Sequence, residues 1–159
     1  MTGEAGNSRE GGVLAKEGKY FTFSIGSEDY GLEISQVREI IGIMEITLVP
    51  QVPAYVKGVI NLRGKIIPVI DIRAKFGMDQ INYTTETCII VLDIRDTLMG
   101  IIVDKVRDVI EIAQKDIEPA AAFNSVINTG FITGIGKVGS HVKILLDIES
   151  VLFDDKRSD

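Results

Sequence analysis

The chain has 159 residues, 45% hydrophobic and 25% charged, the proportions of an ordinary soluble protein of one domain or two very small ones. With 17 basic against 23 acidic residues its net charge is −6, so its long-range field repels phosphate backbones and anionic lipid heads, and nucleic-acid binding is not expected. The lone cysteine, Cys88, has no partner for an internal disulfide, and the polar, glycine-rich first 18 residues hold no apolar run suited to a signal peptide or a spanning helix, which predicts a cytoplasmic protein.

The 25 Ile and 15 Val against 9 Leu predict a mainly β fold, because β-branched side chains are stiff at χ1 and suit a pleated surface. Residues 1–18 lack periodicity and are predicted to form a flexible N-terminal arm. Over residues 20–25, Phe21, Phe23 and Ile25 alternate with Tyr20, Thr22 and Ser24, the pattern of a strand with one face on a core. A turn at Ser27, Glu28 and Asp29 leads to a second strand over 30–34. Ser35 is then placed to cap a short helix carrying Val37, Ile40 and Ile41 on one face, ended by Gly42. Residues 43–49 read as a strand. Pro50 and Pro53 bracket a loop with a helical turn through Tyr55 and Val56, stopped by Gly58. Strands over 59–63 and 66–71 are joined at Gly64-Lys65, and an amphipathic turn over 72–76 closes at Gly77. After a polar loop, strands over 88–94 and 98–103 flank a turn at Arg95-Asp96-Thr97.

The second hairpin repeats the first. At an offset of 69 residues, Gly31, Val37, Arg38 and Ile41 fall on Gly100, Val106, Arg107 and Ile110. At an offset of 72, Gly58, Ile60, Gly64 and Lys65 fall on Gly130, Ile132, Gly136 and Lys137, and after a four-residue insertion Asp71 meets Asp147. The chain therefore reads as a divergent tandem repeat with halves of about 19–77 and 88–153 and a C-terminal tail over 154–159. Each half is small and marginal alone, so two similar barrels sharing a core along a seam are expected, and such a seam is a natural groove.

Few motifs carry chemistry. Gly134, Gly136 and Gly139 match the letters of a dinucleotide fingerprint, but a strand follows where the phosphate-binding helix should begin, so they are expected to be turn glycines. His141 beside Ser140 lacks an orienting group, and one His with one Cys supplies no nitrogen and sulfur ligand set, so neither a metal nor a cofactor is expected. Cys88 reads as a small hydrophobe. Asp71 and Asp147 are assigned a structural role at the start of each half's last helical turn. Two features stand out. Val37, Ile40 and Ile41, followed by Ile43, Met44 and Ile46, offer more apolar surface than one short helix over a small barrel hides; the excess serves either a partner or the inter-barrel core. Arg63, beside a hairpin glycine in an apolar stretch, needs an acceptor, for which Glu39 is the candidate, or else reaches solvent.

The run from Val49 to Gly77, with Gly58-Val-Ile-Asn-Leu-Arg63-Gly64 at its centre, closely resembles the signature of the CheW family of bacterial chemotaxis coupling proteins. The resemblance extends over about 19–153; it departs from the family in Ile72, where Leu is common, and in the length of the arm. It implies a fold of two intertwined five-stranded SH3-like barrels with a few short helices. It also implies a non-enzymatic adaptor that couples chemoreceptors to the histidine kinase CheA, recruited to membrane-associated receptor arrays without entering the membrane. Carried over by position, receptor contacts would involve Val37, Ile40, Gly58 and Arg63, with Val106 and Val109 on the opposing half. Glu39 would hold Arg63, and Ile43, Met44 and Ile46 would meet the kinase. The alternatives are the same fold in another chemosensory pathway, or an enzyme or small-ligand binder using the inter-barrel groove near His141.

Overall fold

A computed structural model describes residues 16–123 and 130–153; most of the predicted arm and the whole predicted tail lie outside the described residues. The fold is mainly β, as composition implied. Strands β1 (Gly18–Ile25) and β2 (Glu28–Glu33) form a hairpin, and a 3₁₀ turn (Ile34–Gln36) leads into β3 (Val37–Gly42). The hairpin β4 (Val56–Leu62) and β5 (Lys65–Asp71) ends in helix α1 (Ile72–Lys75). The hairpin β6 (Cys88–Ile94) and β7 (Thr97–Val103) continues into β8 (Lys105–Ile112) and the short β9 (Ile117–Pro119), and β10 (Ile132–Val138), β11 (His141–Leu146) and α2 (Ile148–Phe153) close the chain.

The sheets do not coincide with the sequence halves. One runs β8-β1-β2-β11-β10-β9 and the other β3-β6-β7-β5-β4, so each takes its leading hairpin from one half and its flanking strands from the other. The exchange is made by the third strand of each half, β3 on β6 and β8 on β1, and by two parallel joins, β5 to β7 and β11 to β2. Gly31 and Gly100, paired by the repeat, fall at these joins opposite Leu145 and Val69. The central core draws on both sheets: Phe21, Phe23 and Ile25 of β1 pack in one cluster with Ile90, Leu92 and Ile94 of β6. Burying such a side chain is worth roughly 1.5–3 kcal/mol, so neither sheet could supply this core alone.

Four local expectations are corrected. The predicted helix after Ser35 is strand β3. A bulge between Val37 and Glu39 sets Val37 opposite Leu92 and Ile40 opposite Ile90, so residues three apart return to one face and mimic a helical period. Residues 43–49 form no strand; Thr47 alone bridges to Val59, through hydrogen bonds of 2.8 and 2.9 Å. Tyr55 sits in a non-helical turn that runs straight into β4 at Val56. The β4–β5 turn residues are Arg63 and Gly64, with φ of 52° and 89° and Leu62 paired to Lys65, one position earlier than the glycine signal placed it.

The repeat is also re-aligned. Bulges fall between Val56 and Gly58 in β4 and between Ile132 and Gly134 in β10. The Asp71 amide donates to the Tyr55 carbonyl at 2.7 Å, and the Asp147 amide to that of Phe131 at 2.8 Å. The closing hairpins therefore match at an offset of 76 rather than 72, and all the extra length beyond the offset of 69 precedes β10. The paired aspartates do the structural work expected of them: Asp71 Oδ1 accepts the Arg73 amide at 3.0 Å, and Asp147 Oδ1 accepts the Ser150 amide at 3.3 Å, so both cap helices. Of the three fingerprint glycines only Gly139, with φ of 62°, stands in the hairpin turn; Gly134 and Gly136 are paired residues of β10, which corrects the turn assignment for those two, and a strand rather than a helix follows Gly139.

Asp104 alone separates β7 in one sheet from β8 in the other. Its carboxylate accepts from Arg73 Nη2 at 2.7 Å, Arg73 Nε at 3.1 Å and the Gly26 amide at 2.7 Å, with side chains only 13% (Arg73) and 21% (Asp104) exposed. Burial pushes the Asp104 carboxyl up, but the Arg73 and Gly26 hydrogen bonds outweigh it and hold the group below its ordinary 3.8. A depressed folded value means that the contribution is present above pH 3.8 and is lost as pH falls through the lower folded value. Asp104→Asn is expected to cost about 2 kcal/mol at pH 7, and denaturant titrations should show the gap from the parent closing as pH falls below 3.8. A gap independent of pH would assign Asp104 a role of shape rather than charge.

Candidate functional site

The two strands that exchange between halves are also sheet edges. Among the described residues β3 pairs only with β6 and β8 only with β1 within their sheets, so each has a free side there. In β8 a bulge places Val106 opposite Phe23 and Val109 opposite Phe21, matching Val37 and Ile40 in β3 at the repeat offset of 69. Their four partners, Phe21, Phe23, Ile90 and Leu92, belong to the central core. Val37 and Val106 are half-buried extensions of that core, while Ile40 and Val109 emerge from it with 41% and 52% exposure. Each bulged edge thus carries an apolar residue that the described residues cover only in part.

Arg63 stands beside the β3 edge. Its guanidinium Nη2 donates to Glu39 Oε2, the side chains remaining 69% and 32% exposed respectively, so the two alternatives for this arginine are combined: it has its acceptor and faces solvent. An ion pair this open is worth under about 1 kcal/mol, too little to explain the pair by stability. Beside it lies a cleft of about 250 Å³ lined by Arg38, Glu39, Leu62, Arg63, Lys65, Ile67, Val91 and Leu98. Arg38 in turn donates to Asp93 at 3.0 Å. Arg38, Leu62, Val91 and Leu98 were not singled out from the sequence; the nearest signal was the recurrence of Arg38 as Arg107, which meets Asp29 at 3.6 Å.

The other expected site residues are distributed differently. Gly58 is buried in β4, where a Cβ would lie 2.1 Å from the Thr47 carbonyl oxygen, so it seats the crossing segment rather than presenting surface. Ile43 is 36% exposed; Met44 and Ile46 are half-buried against the cluster of Ile60, Ile67 and Val91. Beyond them Leu48, 78% exposed, begins an open apolar stretch with Val49 and Val52, of which the first two fall in the expected strand over 43–49 and the third in the loop bracketed by the prolines.

A larger cavity of about 350 Å³, lined by Tyr30, Phe76, Met78, Phe131 and Ile144 among others, lies between α1 and the β10–β11 hairpin, where the rings of Phe23, Tyr30, Phe76 and Phe131 follow one another at 5.6–6.0 Å. His141 lines neither cavity and is exposed at the start of β11. Cys88 is half-buried at the start of β6; burial, then the Glu86 charge, pushes its thiol up and away from the reactive thiolate. Among the described residues no cluster of His, Cys, Asp and Glu could hold a metal ion, and no helix is long and apolar enough to cross a membrane.

The model of the CheW-like domain family matches residues 19–156. The chain is 38% identical over 138 residues to the chemotaxis protein CheW of Klebsiella aerogenes, covering 87% of this chain and 83% of that protein. It is 35% identical over 140 residues to the CheW of Bacillus subtilis, covering 88% of each. The crystal structure of the scaffolding protein TtCheW from Thermoanaerobacter tengcongensis is similar with a TM-score of 0.76 and 38% identity, over 82% of this chain and 89% of that one.

Proposed function

The chain belongs to the CheW-like family, and from that premise we propose that it is a non-enzymatic chemotaxis adaptor coupling chemoreceptors to the histidine kinase CheA. The observation that carries this reading is the exposed Arg63–Glu39 pair beside the bulged β3 edge, at a cleft lined by Leu62, Ile67, Val91 and Leu98, with the partly exposed Ile40 on the other face of the same edge strand. A receptor helix would bury its apolar face against Ile40 and its neighbours, with Val109 on the pseudo-equivalent edge, while the Arg63 guanidinium sets its register. Kinase contacts would use the separate segment with Ile43, Met44 and Ile46. Because that segment differs from the receptor-facing edges, both partners can be held at once, and a shift at one contact can bias the other. Binding there would recruit the protein to receptor arrays without inserting it in the bilayer.

The test is co-sedimentation with receptor-bearing membranes and purified CheA, with kinase autophosphorylation as the second readout. The protein is expected to enter the pellet with both partners and to change kinase output. Failure to do either, with folding intact, removes the proposal. Entry with receptors of a non-motility pathway alone would move the same fold to that pathway.

A further inference from the structure

We propose that Asn61 is a positioning residue for Arg63, holding the turn that aims the guanidinium at the receptor-facing edge; the functional part of this inference rests on the receptor reading of Arg63. Arg63 adopts φ of 52°, in the left-handed region that a side chain with a Cβ enters at a cost, and Gly64 follows at 89°. The Gly64 amide donates to Asn61 Oδ1 at 2.8 Å, so an exposed side chain three residues back supports the turn.

The internal repeat supplies the comparison. In the β10–β11 hairpin, at the offset of 76, the left-handed position is filled by Gly139 with φ of 62°, where the conformation is free of Cβ strain, and the residue matching Asn61 is Lys137, whose side chain instead approaches Glu118 at 3.7 Å. One hairpin makes its turn with the residue the backbone favours. The other places an arginine there, pairs it with Glu39 and adds an asparagine acceptor. A strained conformation with dedicated support points to a side chain that must stand at that position.

The experiment uses the full chain. Receptor co-sedimentation is measured for the parent, Asn61→Ala, Asn61→Asp, Arg63→Ala and the double alanine variant, with melting curves and NMR of the Arg63 amide coupling and guanidinium signal. Asn61→Ala should weaken receptor binding about fivefold, the scale of one lost hydrogen bond, while its melting point falls by no more than about 4 °C. Asn61→Asp, which keeps the acceptor oxygen, should recover at least half of the loss. In the Arg63→Ala background, removing Asn61 should weaken binding no further. Equal losses in both backgrounds overturn the proposal, because Asn61 would then act independently of Arg63. Should Arg63→Ala bind like the parent, the receptor reading of Arg63 is what fails. The positioning role is then decided by NMR: a changed Arg63 coupling and a more mobile guanidinium in Asn61→Ala uphold it, and unchanged signals overturn it.

Discussion

Gly58→Ala is expected to lower stability by about 4 kcal/mol, a large share of the roughly 5–15 kcal/mol that holds a domain folded, and to weaken partner binding in step with the lost stability. The added methyl would sit 2.1 Å from the Thr47 oxygen, 2.9 Å from the Thr47 carbonyl carbon and 3.0 Å from Ile46 Cγ2. The obstruction is backbone, and it is fastened: Thr47 and Val59 exchange two hydrogen bonds of 2.8 and 2.9 Å. Gly58 also has φ of 147°, a conformation side chains avoid, so moving Thr47 aside would not relieve the whole cost. Gly64 provides the contrast. Nothing lies within 4 Å of its added Cβ, and Gly64→Ala should cost only about 1 kcal/mol, from its φ of 89° alone. Melting curves decide the matter. A Gly58→Ala protein that melts like the parent yet fails to bind receptors would return Gly58 to the contact surface.

Arg63→Glu has the largest expected effect on binding with the fold preserved. The arginine is 69% exposed and its pair with Glu39 contributes under about 1 kcal/mol, so reversal should leave the melting point within about 4 °C of the parent. At an interface the same guanidinium is desolvated, and a carboxylate there would face Glu39 and any acceptor the partner offers, so receptor coupling should fall at least about tenfold. Adding Glu39→Arg to the reversed protein should restore the pair and its stability increment without restoring full binding, since the receptor would meet the charges in exchanged places. Binding and stability falling in parallel would make Arg63 a structural residue.

The legible part of the fold was the part written in short-range signals. Alternation in Phe21, Phe23 and Ile25 located β1, and the recurrence of Gly31, Val37 and Arg38 as Gly100, Val106 and Arg107 disclosed the duplication before any strand was paired. Glu39 was legible as the partner of Arg63 because a charged group in an apolar stretch must find an acceptor. β3 was misread for a stated cause: its bulge returns Val37 and Ile40 to one face at the spacing a helix would use, and nothing local tells the two apart. The offset of 72 failed similarly, since glycine on glycine scores well in letters while the matching bulges make Gly58 the counterpart of Gly134.

By itself, the amino-acid sequence determined that the protein is mainly β, that it is built from a repeated pattern, and that Asp71 and Asp147 begin its helical turns. These follow from rotamer stiffness, pleat period and capping, which act within a few residues. Only the tertiary structure decided that β3 and β8 cross to the other half's hairpin, that Gly58 is packed under Thr47, and that Ile40 and Val109 are left partly exposed on matching edges. Those outcomes depend on which distant strand completes a sheet, a competition among burial and backbone hydrogen bonds that no local stretch of sequence contains.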